Sequence, residues 1–466
     1  MLAGEGERLS ERTPSRPREL PTAAYGPLLT APILPTLAAL SLPNLIALGT
    51  QSLVAIAETS YIGILGTEPL AAMALVFPMI MLTQMMSSGA MGGGVSSAIS
   101  RALGARDVRR ARALALHAMI VGALAGMLFT AVFLLWGRSI YTMLGGDAAV
   151  LPLALEYSGA FFAGATIVWF FNIFASIARG TGNMRVPSST IIGVAMLQIV
   201  LGGVLALGFG PIPRFGLAGV AIGQILAFLA GTIALLVYLR SRYSRLRLNF
   251  SGVSLSRELF WDILRVGAVS CLSPLQSILT VIILAKFVAG FGTAGLAGYG
   301  IGVRLELLLV PIAFSIGSAS VPMVGMAIGA RDVARARRVA WAAATASAII
   351  IGTIGCLAAN FPHVWANLFT SDPNVEQAAH QYLGIAGYGF AAYGFGLCLY
   401  FSSQGSGRIF GPVLGGTVRL LVVLIGGILL LRQGGDFGAF ALLVTVAMVA
   451  YGISTGLFVW KTRWGH

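Results

Sequence analysis

Gly104-Ala105-Arg106-Asp107-Val108 recurs residue for residue as Gly329-Ala330-Arg331-Asp332-Val333. The likeness runs on, because Arg110-Ala111-Arg112 returns as Arg335-Ala336-Arg337 at the same offset of 225 residues. Gly180, Gly182 and Pro187 fall at that offset on Gly405, Gly407 and Pro412 without a gap. One fixed offset over two separated motifs reads as a duplication, so the chain is two copies of one design.

Composition says where those copies sit. Of 466 residues, 57% are hydrophobic and 10% charged, with mean hydropathy +0.88. Soluble domains carry about 25% charged residues, so this chain cannot cover a water-facing surface. Its long apolar runs exceed the roughly 20 residues that cross a bilayer as helix and lack strand alternation. Alternating segments of about ten residues, as a membrane β-barrel needs, are absent. The fold expected is an all-α polytopic membrane protein, with the lipid bilayer as its surroundings.

Apolar runs lie at 33–65, 69–99, 113–136, 152–178, 187–208 and 216–239, then at 266–290, 295–327, 339–359, 377–403, 410–431 and 437–460. That gives twelve transmembrane helices in two pseudo-symmetric six-helix bundles. An even number of spans per copy makes the repeats parallel, related by an axis along the membrane normal. The domains expected are a flexible cytoplasmic tail (1–32), a first lobe (33–240), a cytoplasmic linker (241–265), a second lobe (266–460) and a cytoplasmic C-terminus (461–466). The balance of acids and bases in the tail argues against an organelle transit peptide, and no short cleavable apolar core appears.

The net charge of +14 suggests nucleic acid, but the basic residues sit in short loops between apolar runs, so no nucleic-acid partner is expected. With the N-terminus inside, 24 of the 30 Lys and Arg residues fall on the inner side, 3 on the outer side and 3 within spans. That ratio puts both termini in the cytoplasm, in an inner (cytoplasmic) membrane. The repeated motif then lies on the cytoplasmic side after spans 2 and 8. Its glycine is expected to end one helix, and its aspartate to start the next at the positive end of the dipole. The bland reading is a capped topogenic loop; the sharper one is a gate closed by salt bridges between loops. Gly180-Thr-Gly182 and Gly405-Ser-Gly407, each followed by a proline, read as tight turns.

Charges inside apolar spans are costly and default to functional hypotheses. Glu58 and Glu306 are the acids well inside spans, and Lys286, Arg304 and Arg419 the bases. Glu58 has no in-span cation near it in sequence. Desolvation penalises its charged form, which suits a group that binds and releases a proton. Gln51, seven residues back, shares its helix face, and Pro43 should bend the helix below both. Arg304 and Glu306, two residues apart, do not stand side by side. Lys286 reads as snorkelling, and mid-span Arg419 needs a partner the sequence does not name. Span 2 is rich in methionine, Met85 among them, ahead of Gly92-Gly93-Gly94. Span 10 carries Tyr382, Tyr388, Tyr393 and Tyr400. Such soft and amphipathic side chains suit a cavity for varied ligands, or plain packing. Cys271, Cys356 and Cys398 all fall in apolar runs, with no disulfide or metal spacing. No catalytic set or nucleotide-binding loop is visible, so the reading is a transporter, not an enzyme, without metal or cofactor.

These motifs together resemble the multidrug and toxic compound extrusion (MATE) family. The resemblance rests on Pro43 with Ala57-Glu58-Thr59-Ser60-Tyr61-Ile62-Gly63-Ile64-Leu65-Gly66-Thr67, on the two Gly-Ala-Arg-Asp loops, on Arg179-Gly-Thr-Gly-Asn183 with Pro187, and on Gly216-Leu-Ala-Gly219. It covers the chain from about residue 30. It implies an antiporter that expels small organic, often cationic or amphipathic compounds by alternating access, as a monomer, driven by inward flow of H⁺ or Na⁺. The family's first-helix aspartate corresponds to Glu58. Its span 5 pair corresponds to Gln198 and Gly202, and a span 6 threonine to Gln224. An ion site of Glu58, Gln198 and Gln224 has one carboxylate, which favours H⁺ over Na⁺, since hard cations prefer several charged oxygens. The acids that one branch places in spans 7 and 10 are missing, which confines the expected ion chemistry to the first half. A substrate cavity is expected among Gln51, Met85, Asn172, Arg304, Glu306, Tyr388 and Tyr393. The alternatives are a lipid-linked precursor flippase of the same superfamily, and a non-transporting membrane receptor or scaffold.

Overall fold

The structure is a computed structural model that describes residues 26–249 and 254–465. Helices account for nearly all of it. Span 1 is Ile33–Leu65, span 2 Thr67–Gly104 and span 3 Val108–Met143. Span 4 is a pair, Val150–Ala163 and Ala165–Gly180, bent by 47°. Span 5 is Arg185–Leu207 and span 6 Gly216–Arg240. Span 7 joins Arg257–Ser270 to Leu272–Val288, and span 8 is Gly292–Gly329. Spans 9 to 12 are Val333–Asn360, Pro373–Ser406, Phe410–Gln433 and Phe437–Lys461. Ten helical segments are long and apolar enough to cross a membrane, and the bent pair makes an eleventh. Arg257–Gly329, at 73 residues, is long enough to cross twice and divides at Gly292 into spans 7 and 8, giving twelve spans in two sixes among the described residues.

Three boundaries differ from the sequence reading. Residues 1–25 of the expected tail lie outside the described residues, but Gly26–Thr30 is a short helix with Leu28 buried. The linker is shorter than 241–265, since span 7 begins at Arg257 with a charged, amphipathic turn. Span 1 runs as one continuous helix through Pro43.

The repeated motif forms the same cap twice. Asp107 N–H donates to Ala102 O and Arg106 N–H to Leu103 O, and Asp332 and Arg331 repeat this with Ala327 O and Ile328 O. Those paired bonds close a helix C-terminus and need a left-handed residue. It is the arginine, not the expected glycine, that supplies it: φ is 61° at Arg106 and 63° at Arg331. The next span starts at once, with Asp107 accepting from the Arg110 N–H and Asp332 from the Arg335 N–H.

What the motif glycines do is let the two sixes touch. A Cβ on Gly104 would strike the Met326 backbone, and one on Gly329 the Arg101 backbone. Residues 101 and 326, like 104 and 329, are 225 apart, so the contact is reciprocal across the pseudo-twofold axis. Two arginines repeat the reciprocity. Arg110 bonds Glu258 and Asp262 at the entry to span 7. Its counterpart Arg335 donates to Leu28 O and Ala31 O at the entry to span 1. Both ends of the described chain meet on this face, because Arg337 also donates to Trp460 O and Thr462 O. This is the basic face of the molecule. The largest buried apolar cluster crosses the lobes here, joining Val95, Ile99 and Leu103 to Ile316, Met323 and Met326.

A side chain at this contact should part the lobes. Gly329→Val is expected to cost about 1–3 kcal/mol by overpacking, read as a lower thermal unfolding midpoint. Ala342→Val, half-buried on span 9 and away from the contact, should not match that loss.

Candidate functional site

Glu58 sits in the half of span 1 remote from the basic face, 6% exposed. Gln198 of span 5 donates its Nε2–H to Glu58 Oε1 at 2.7 Å. No ion pair to Glu58 forms among the described residues. Beside it lies Tyr61, one turn on, whose buried hydroxyl has no hydrogen-bond partner. A Cβ at Gly202 would fall 2.8 Å from Tyr61 Oη, so the tyrosine fills the space where a side chain of span 5 would reach. Spans 5 and 6 pack closely behind, Gly223 against the Gly202 backbone. Gln224 is buried next door on span 6, but its Oε1 is unpartnered and it makes no bond to Glu58. The structure thus joins Glu58 to Gln198 and brings in Tyr61, which sequence reasoning passed over although it lies at helical spacing from the carboxylate.

The residues expected to line a cavity form two groups rather than one. In the first six, Asn172 Nδ2 donates to Gln84 Oε1 at 3.1 Å and Ser87 Oγ at 2.8 Å. The Ser87 end lies in a π-helical stretch, Met85–Met91, that locally widens span 2. In the second six, Arg419 of span 11 finds its partners on two other spans, 8 and 10. Its guanidinium lies 3.5 Å from Glu306 Oε1 and 4.6 Å above the Tyr393 ring. Gln51 and Tyr388 are exposed, and Arg304 rests over Phe369 at 4.9 Å, so these three join neither group. No set of three or more metal-ligating side chains occurs among the described residues.

A third cluster closes the basic face. Asp262 of span 7 accepts from Arg101 at 2.8 Å, Arg110 at 3.3 Å and Arg265 at 2.7 Å, and Glu258 accepts from Arg110 at 2.8 Å. Arg101 also reaches Ser97, which in turn bonds the Gln404 carbonyl across the lobes. The cross-lobe ion pairs therefore exist, made by Arg101 and Arg110 rather than by Arg106 or Arg331.

The comparison with known proteins fits this duplicated, two-lobed plan. The MatE family model matches the chain twice, over residues 43–204 and 269–429. The chain belongs to the MatE family. It is a membrane transporter, not an enzyme. It is similar to the probable multidrug resistance protein YoeA of Bacillus subtilis (strain 168), 25% identical over 353 residues, 75% of this chain and 76% of that protein. It is also similar to an FAD transporter of Shewanella oneidensis, 25% identical over 319 residues, 68% of this chain and 70% of that one. Among solved structures it resembles an outward-facing multidrug resistance MATE transporter of the MOP superfamily, with TM-score 0.84 and 26% identity, covering 93% of this chain and 96% of that one.

The Glu58–Gln198 bond should be worth most when the carboxyl is charged. Gln198→Leu is expected to lower stability by about 1–3 kcal/mol at neutral pH, as a buried acceptor loses its donor. The loss should shrink as pH falls, because a protonated carboxyl needs the donor less. Thermal unfolding of both proteins across pH checks this.

Proposed function

We propose that this MatE transporter expels small organic compounds in exchange for protons, with Glu58 as the coupling carboxylate. The observation that carries the reading is a buried carboxylate held by one neutral amide and no cation. Such a group is expensive to keep charged away from water, and binding a proton removes that cost. A sodium site would want several charged or carbonyl oxygens, and Tyr61 stands where span 5 would have to offer a second one.

The charge asymmetry of the loops supports placing the basic face in the cytoplasm, in an inner membrane. The contacts that join the lobes at the basic face then lie on the cytoplasmic side, which agrees with an outward-facing state such as the one named for the relative. In the cycle we envisage, Glu58 takes a proton from outside. Its carboxylate charge is lost, and the attraction that fixes the Gln198 amide weakens. Span 1 then bends at Pro43, where the Ala39 carbonyl has no intrahelical donor. The movement presses substrate outward. The proton leaves when the site next opens to the cytoplasm. Asn172 with Gln84 and Ser87, Met85, and Glu306 with Arg419 and Tyr393 offer polar and soft surfaces for cargo. The protein works as a monomer and needs no cofactor in this scheme.

Efflux from proteoliposomes under an imposed pH gradient tests the proposal. Glu58→Gln should abolish gradient-driven efflux while leaving the protein folded, and Glu58→Asp should retain part of it. Full efflux by Glu58→Gln, or wild-type efflux that follows a Na⁺ gradient and ignores pH, would refute it.

A further inference from the structure

A small cavity of about 20 Å³ lies where the two sixes meet, and its walls obey the duplication. Arg179 and Gln404, Gly93 and Ser318, and Ser96 and Val321 all line it, and each pair is 225 residues apart. A cavity lined by equivalent residues of both copies sits on the pseudo-twofold axis. Arg179 ends the second helix of span 4 and is only 6% exposed.

Its surroundings leave its charge unanswered. Among the described residues Arg179 makes one side-chain hydrogen bond, from Nη2 to Ser176 Oγ at 3.0 Å, and no ion pair. A guanidinium carries five N–H donors and cannot discharge, so burial without an acid is costly. Two more polar groups around the same cavity are orphans. Ser96 Oγ and Gln404 Oε1 are buried without partners. The Gln404 amide is fixed in that orientation, since its Nε2 donates to Gly89 O at 3.0 Å and to Ser270 Oγ at 3.3 Å. Ser318 is not free to help, because its hydroxyl already donates to Ser315 O and accepts from Asn44.

We propose that this cavity binds one small inorganic anion, chloride being the abundant example, held by Arg179 and the Ser96 hydroxyl. An accompanying water donates to Gln404 Oε1. The volume suits one or two water-sized species and excludes an organic cargo. Anion and water together satisfy all three unmet groups, which neither does alone. Because both lobes build the walls, the complete site exists only while the basic face is closed. The ion is therefore a ligand of that state and stabilises it by mass action. The inference is independent of which ion couples transport.

The test is thermal unfolding of the whole protein titrated with sodium chloride against sodium gluconate at constant ionic strength. The wild type should gain stability saturably with chloride. In Arg179→Gln the apparent chloride affinity should fall about tenfold or more, as a charge-assisted bond is lost. Arg179→Lys should keep a weaker response, and Arg138→Gln, on the opposite face, a full one. A wild type indifferent to chloride, or an Arg179→Gln that responds like wild type, overturns the proposal. A second measurement needs no variant: crystals grown in bromide should give an anomalous peak within hydrogen-bond distance of Arg179. No peak there at saturating bromide also overturns it. A response that appears only when an anionic cargo is added, and never with halide, contradicts a small-ion site.

Discussion

Everything in this molecule hangs on the close approach of the two sixes at the basic face. Gly104 lies on the Met326 backbone and Gly329 on the Arg101 backbone, a contact that only residues without Cβ allow. The lobes also share one apolar cluster there. The ties across the contact are ion pairs and bonds from arginine to carbonyl oxygen. Such ties can be exchanged for water. Apolar surface alone would resist that exchange more strongly.

The scaffold is doubled, but its chemistry is not. In the first six a carboxylate is held by an amide, with a free tyrosine hydroxyl nearby. In the second six the half-buried Glu306 carboxylate has a counter-charge, Arg419, braced by the Tyr393 ring. Glu58 thus meets only a neutral amide, whereas Glu306 has a guanidinium beside it.

Much of this was legible in the sequence because membrane spans and caps are local. Twelve apolar runs, Asp107 and Asp332 as N-caps, and Glu58 as the exceptional acid all follow from composition and spacing. What escaped depends on contacts between distant segments. Arg179 and Arg101 look like loop cations, yet their helices extend past the apolar runs, burying Arg179 and half-burying Arg101. The glycines of the motif look like helix stops, yet their work is to make room for the other lobe. Arg419 announces a missing partner, but Glu306 is 113 residues away and on another span. Gln51 shares a helix face with Glu58, yet packing covers the acid and leaves the amide exposed, a difference periodicity cannot register.

Proton exchange at Glu58 is the centre of this account, and proton counting reaches it most directly. Purified protein in weakly buffered solution is mixed with a transported dye, and protons released are measured by an indicator. If cargo and proton compete through Glu58, the wild type releases protons as dye binds and Glu58→Gln, still binding dye, releases none. Dye binding by wild type without proton release, or equal release from Glu58→Gln, would contradict the account.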